Sequence, residues 1–236
     1  MDLKPWNDDI KELRKIIMRA DKIEESKNLC LSLHTMVHSS AVSEVDKKTF
    51  EDELWEGLDE AAFRTSFNDK GRTIAYGIWH STRIEDITMN LLVAEDEQIF
   101  NRGKWPEKIN TEIVDTGNAM TEKEIRTFSS KVNMQELRNY RECVGKKTRD
   151  IIKNLTANDM KRKFEKNMLK RIIDEGAVLD VEASNWLIDF WGRKNVSGIL
   201  LMPATRHHVV HLNESFSAKK KSKSSQVYLK DVEHSY

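Results

Sequence analysis

The sequence predicts an all-α protein, a four-helix bundle with additional short helices in the connections. Three observations carry that expectation. Apolar residues recur at three- and four-residue intervals through most of the chain. Nine glycines and three prolines are few for 236 residues, which disfavours a fold of many short strands and turns. The periodic stretches group into four long segments with longer connections between them, the pattern of a bundle. No composition shift divides the chain, so residues 1–217 read as one helical domain and residues 218–236 as a polar, basic, flexible tail.

The first segment covers about residues 7–42, as one helix or two collinear ones. Ile10, Leu13, Ile17 and Ala20 make its first stripe, and Cys30, Leu33, Val37 and Ala41 continue it. Asn7 before Asp8 and Asp9 suits an N-cap with acids in the first turn. Asp69-Lys70-Gly71 marks a break. The second segment runs from about Arg72 to Ile99, with Thr73, Tyr76, His80, Ile84, Ile87 and Leu91 on one face. Gly103, Pro106 and Gly117 make residues 101–120 a loop. Thr121 and Glu124 match a capping box, and Asn133 with Glu136 repeats the signal. Behind it, Met134, Leu137, Tyr140, Val144, Thr148, Ile151 and Leu155 form the cleanest helical period in the chain. Shorter helices are expected over Met160 to Ile173 and Ala183 to Trp191, and the last helix from about Asn195 to Ser217.

Composition narrows the function. Lysine plus arginine and aspartate plus glutamate each total 39, so no bulk charge attracts nucleic acid or an anionic membrane. The lysine-rich run at 219–223 is too short to reverse that. No apolar run approaches the ~20 residues of a membrane span. The N-terminus lacks the basic start and apolar stretch of a secretory signal. Cys30 and Cys143 do not make a disulfide framework. A cytoplasmic protein is expected.

Five of the seven histidines fall in two tight clusters, His34 with His38, and His207, His208 and His211. Residues four apart stack on one helix face, so His207 and His211 can reach one metal ion. His208 points about 100° away from His207. A catalytic zinc site takes three protein ligands and keeps a position open. His80, alone on an apolar stripe, is the obvious third ligand. The pair His34 and His38 has the same spacing and competes as a ligand source. The peptidase motif His-Glu-x-x-His is absent, because His208, Val209 and Val210 separate the pair.

Other residues are read more plainly. Arg83, Glu85 and Asp86 suit a solvated helix face, although one carboxylate could orient an imidazole. Glu214, one turn after His211, is either a surface residue, a fourth ligand or an acid–base group. Tyr76, one turn before His80, either packs in the core or hydrogen-bonds near the site. Pro203 either bends the last helix and frees the carbonyl of Ile199, or opens the helix. The tryptophans, Trp79, Trp186 and Trp191 among them, serve packing.

Three stretches resemble the DinB/YfiT-like family of helical-bundle proteins. They are Arg72-Thr-Ile-Ala-Tyr-Gly-Ile-Trp-His-Ser-Thr-Arg-Ile-Glu-Asp86, the connector Asp115-Thr-Gly-Asn-Ala-Met-Thr121, and Leu201-Met-Pro-Ala-Thr-Arg-His-His-Val-Val-His-Leu-Asn-Glu214. The resemblance implies a four-helix bundle, often a homodimer, with a divalent metal ion, Zn²⁺ or Ni²⁺, on His80, His207 and His211. The family commonly has glycine two residues after the last ligand, where this chain has Asn213.

The resemblance also implies an activity. Some members transfer a low-molecular-weight thiol onto small electrophiles. A metal-dependent S-transferase with a small-molecule substrate is therefore expected. The alternative is a non-catalytic, stress-related or ligand-binding bundle whose metal site is structural or vestigial. Neither a membrane nor nucleic acid is expected as a partner.

Overall fold

Pro5 sets the start of the first helix. Its ring pre-orders the first turn and it needs no amide donor there. Helix α1 therefore runs Lys4–Ile16 and does not wait for Asn7 as its cap. In this computed structural model the backbone is described for residues 1–233 and the side chains for residues 1–224. The expected single or collinear helix over residues 7–42 is broken after Ile17, and α2 (Ile23–Val37) folds back on α1. Trp6 Nε1 donates to the carbonyl of Leu33 at 3.1 Å, which fixes the start of α1 on the end of α2. The apolar stripe was continuous in sequence because both helices face the same core.

Short helices α3 (Ser40–Ser43), α4 (Phe50–Trp55) and α5 (Glu60–Arg64) follow. Thr49 and Asp52 form a full capping box on α4. Thr73 Oγ1 accepts from the Tyr76 amide at 2.9 Å and opens α6 (Ile74–Asp86). The chain continues from α6 as a wider π-helical stretch, Ile87–Val93. Every residue from Ile74 to Val93 is buried. Arg83, Glu85 and Asp86 therefore do not face solvent, contrary to the plain reading of their charge. Each has a built partner. Asp86 accepts from the Ile99 and Phe100 amides at 2.9 and 3.0 Å and from Tyr140 Oη at 2.6 Å. Arg83 pairs with Asp86 at 3.1 Å and donates to the Val114 carbonyl at 2.7 Å.

The expected loop over residues 101–120 contains α7 (Ile99–Arg102) and α8 (Trp105–Ile109) at its start. Thr121 caps α9 (Glu122–Lys131) with the expected reciprocal box. Asn133 caps α10 (Met134–Asn154), whose residues Leu137, Tyr140, Val144, Thr148 and Ile151 are buried as its period requires. Helices α11 (Lys166–Asp174) and α12 (Glu182–Gly192) occupy the two shorter stretches.

The last segment is two helices. Asn195 caps α13 (Val196–Leu201), a turn containing Pro203 follows, and α14 runs Arg206–Glu233. The carbonyl of Ile199 is not freed, because the Met202 and Ala204 amides donate to it at 3.3 and 3.2 Å. Helix α14 continues past Ser217. Lys219 is buried, and its Nζ donates to the carbonyls of Glu53, Leu54 and Glu56 at the end of α4. Residues 234–236, the end of the expected tail, lie outside the described residues.

The described chain is all-helical, with no strand among the described residues and one isolated bridge between Lys163 and Asn195. Helix α6 packs on α14 and on α10, α10 packs on α2, and α2 reaches α14. Trp79 is fully buried against Phe100 and Phe128, each 5.4 Å away between ring centres. Such ring pairs add about 0.5–1.5 kcal/mol beyond area burial. Trp191 is buried likewise, whereas Trp186 is 53% exposed and does not pack in the core. No described helix is long and apolar enough to cross a membrane.

Candidate metal centre

Helix α6 and helix α14 bring three imidazoles together. Potential donor atoms of His80, His207 and His211 all lie within 4.8 Å of one another. Their ring centres form a triangle of 5.1 Å (His80 to His207), 4.9 Å (His80 to His211) and 4.6 Å (His207 to His211). The helical spacing explains the pair on α14, whose Nε2 atoms stand 3.2 Å apart. Two nitrogens on one tetrahedral ion with ~2.1 Å bonds are separated by about 3.4 Å, so the observed spacing suits a shared ion.

The outer contacts of the rings set their tautomers. His80 Nδ1 lies 2.7 Å from the carbonyl of Thr116, in the connector between α8 and α9. A carbonyl only accepts, so Nδ1 carries the proton and Nε2 presents a lone pair. The Tyr76 ring stacks on His80, 5.4 Å between centres, and its hydroxyl donates to the Gly117 carbonyl at 3.2 Å. His211 Nδ1 is 3.5 Å from Glu214 Oε2, and Arg72 holds the same carboxylate at 3.3 Å. His207 Nδ1 is buried without a hydrogen-bond partner, but the residue as a whole is only half-buried. The centre therefore opens toward solvent at His207.

Electrostatics favour ligands over bases. Burial, then the nearby His211, lower the His80 imidazole to about 3. Burial, and then His211, His80 and His208, hold His207 well below its ordinary value. Both rings are neutral near pH 7, the state in which imidazole binds a metal. Glu214 is lowered to about 2, first by His211 and further by Arg72, against the effect of its own burial. It is an anion beside His211, and it is not among the grouped donor residues of the triangle.

His208 leaves this centre, as its position on the helix predicts. It joins His34 and His38 around Glu85, all four fully buried. His34 Nε2 is 2.8 Å from Glu85 Oε1, and His38 Nε2 and His208 Nε2 are 2.9 and 3.0 Å from Oε2. Arg141 donates to Glu51 Oε2 at 2.7 Å and to the Val37 carbonyl at 2.7 Å, and its Nη1 stands 3.2 Å from His208 Nδ1. Glu85 thus meets imidazoles, but not that of His80. The helical pair His34 and His38 was a visible signal. Glu85 was legible only as one of the carboxylates that could orient an imidazole, and Glu51 and Arg141 not at all, because each sits in a charged stretch that reads as surface.

Four apolar side chains near the connector are exposed: Val114, Leu179, Val181 and Trp186. The Thr116 amide donates to the Ala177 carbonyl at 3.1 Å, and Asn118 Nδ2 donates to that of Ala183 at 3.3 Å. These bonds tie the exposed segment to the backbone that orients His80. No protein-family model matches the chain, and no curated protein matches it.

Proposed function

We propose that this chain is a DinB-like four-helix bundle that binds a divalent first-row metal ion through His80, His207 and His211. The observation that carries the reading is the closed triangle of imidazoles, with Nδ1 of His80 held by the Thr116 carbonyl so that Nε2 is the nitrogen left to bind. Imidazole ligation suits Zn²⁺ and Ni²⁺ alike. The four long helices α2, α6, α10 and α14, which pack on one another in the pairs described above, support the bundle assignment.

The proposed activity is transfer of a low-molecular-weight thiol onto a small electrophile. A bound divalent ion with three neutral ligands supplies Lewis acidity that lowers the pKa of a coordinated thiol or water. The chain's own residues orient and exclude. Thr116 fixes His80, Glu214 stands behind His211, and Tyr76 covers one face of the His80 ring. The half-buried His207 marks the side from which a substrate enters. The exposed apolar residues Val114, Leu179, Val181 and Trp186 offer a surface for an apolar substrate or for a second copy in a homodimer. A cytoplasmic setting is part of the proposal, in keeping with two free cysteines.

One observation favours a non-catalytic role for the same metal site. Tyr76 Oη is engaged by Gly117 and Glu214 is held by Arg72, so the nearest acid–base groups are already occupied. Turnover decides between the two. Metal-loaded protein is incubated with a panel of low-molecular-weight thiols and an aryl halide. Thioether formation that disappears with chelator and in His211→Ala supports transfer. Full metal occupancy with no product under any thiol supports the non-catalytic site.

A further inference from the structure

Glu85 is a carboxylate buried in the middle of the protein with three imidazoles around it. Oε1 has one aligned partner, His34 Nε2 at 2.8 Å. Oε2 has two imidazole nitrogens within 3.0 Å, those of His38 and His208. His34 Nδ1 and His38 Nδ1 are buried without a hydrogen-bond partner. A core rarely leaves such buried polar atoms unpaired side by side.

Arg141 is the guanidinium nearest to the cluster, but its Nε is committed to Glu51. No lysine or arginine is paired with Glu85 among the described residues. A cation between the carboxylate and the rings of His34 and His38 would offset the buried charge of Glu85 and bond one nitrogen of each ring.

Arg141 also assigns the histidines their parts. A guanidinium only donates, so its contact makes His208 Nδ1 the acceptor and leaves the proton on Nε2. His208 therefore faces Glu85 as an N–H and is no ligand through that atom. His34 and His38 carry no such restriction. They are an i,i+4 pair with stacked rings, 4.3 Å between centres. Donor atoms of His34, His38 and Glu85 lie within 4.8 Å of one another.

We propose that His34, His38 and Glu85 hold a second divalent transition-metal ion, with His208 and Arg141 as the groups that orient the ligands. Two imidazoles and one carboxylate suit Zn²⁺ or Fe²⁺. The site is sealed from solvent at all three ligands. Its ion is structural, joining α2 to α6, with His208 extending the link to α14. The ring of His208 is 6.5 Å from that of His207, so the two centres share the first turn of α14.

The test is zinc stoichiometry by equilibrium dialysis on the full chain, stripped with chelator. Wild-type protein takes up two equivalents of Zn²⁺. His207→Ala, a half-buried position that tolerates the change, keeps one. Glu85→Gln preserves side-chain volume and also keeps one, with the lost equivalent weakened by more than ~100-fold, above the usual effect of an outer partner. One equivalent in wild type that vanishes in His207→Ala overturns this proposal and leaves the His80 site standing. One equivalent that survives in His207→Ala supports this proposal and removes the His80 site. The wild-type count and the His207→Ala count suffice if Glu85→Gln does not fold.

Discussion

His80 Nδ1 and the carbonyl oxygen of Thr116 are 2.7 Å apart, and this one contact decides which nitrogen of His80 can bind a metal. It also couples the site to the connector between α8 and α9, since the Thr116 amide is tied to Ala177. A ligand held by backbone has little rotational freedom to lose on binding.

Removing that ring should open the triangle. His80→Ala is expected to lower zinc affinity by more than ~100-fold, above the 10–100-fold typical of an outer partner. Competition with a chromogenic chelator reads the change. An affinity equal to wild type contradicts His80 as a ligand.

Glu214 acts one step further out. Its carboxylate stands 3.5 Å from His211 Nδ1 and is shared with Arg72. Glu214→Gln keeps the shape and removes the charge, so zinc affinity should fall by about 10-fold. A loss as large as that of His80→Ala would make Glu214 a direct ligand instead.

The apoprotein should be acid-sensitive. His80 lies at about 3 and His208 at about 4, against an ordinary value of 6.5. Lowered values mean that the unfolded chain binds these protons more tightly than the native one. Stability is therefore full above about pH 6.5 and falls as the pH drops through the window toward about 4 and 3. Urea midpoints in chelator, measured from about pH 7 to about pH 4, should decrease steadily. A flat series would show that these imidazoles are not buried as neutral rings.

Much of this was readable in the residues, and the failures are informative. The caps at Thr121 and Asn133 and the period of α10 were local signals, and the structure keeps them. The pair His207 and His211 followed from spacing, and His80 from its lone place on an apolar stripe. The reversal between α1 and α2 was hidden because two helices that face one core carry the same stripe. Arg83, Glu85 and Asp86 were misread because charge in a helix usually means water. Here Tyr140, Gln98 and three histidines from distant segments supply the partners, and long-range partners leave no mark in local sequence.

Asp86 provides a strong test of that buried polar layer. It receives two backbone amides, Tyr140 and Arg83. Asp86→Ala leaves Arg83 buried without its carboxylate and should cost about 3–5 kcal/mol. Urea unfolding monitored by circular dichroism measures it. A cost below 1 kcal/mol, roughly that of a surface ion pair, would contradict the burial described here.

Lys219 tests whether the end of α14 is docked. Its ammonium serves three carbonyls of α4 at 3.0, 2.7 and 2.6 Å. Lys219→Met keeps the stem and removes the donors, with an expected loss of about 1–3 kcal/mol. An unchanged melting curve would return this residue to a solvated tail.

The central claim concerns an ion among three rings, and anomalous diffraction locates an ion without assuming its identity. Crystals of protein purified without added metal or chelator, measured on both sides of the zinc and nickel edges, should show a peak about 2.1 Å from Nε2 of His80, His207 and His211. Rings in the same triangle with no anomalous peak between them, in crystals grown and soaked with Zn²⁺, would contradict it.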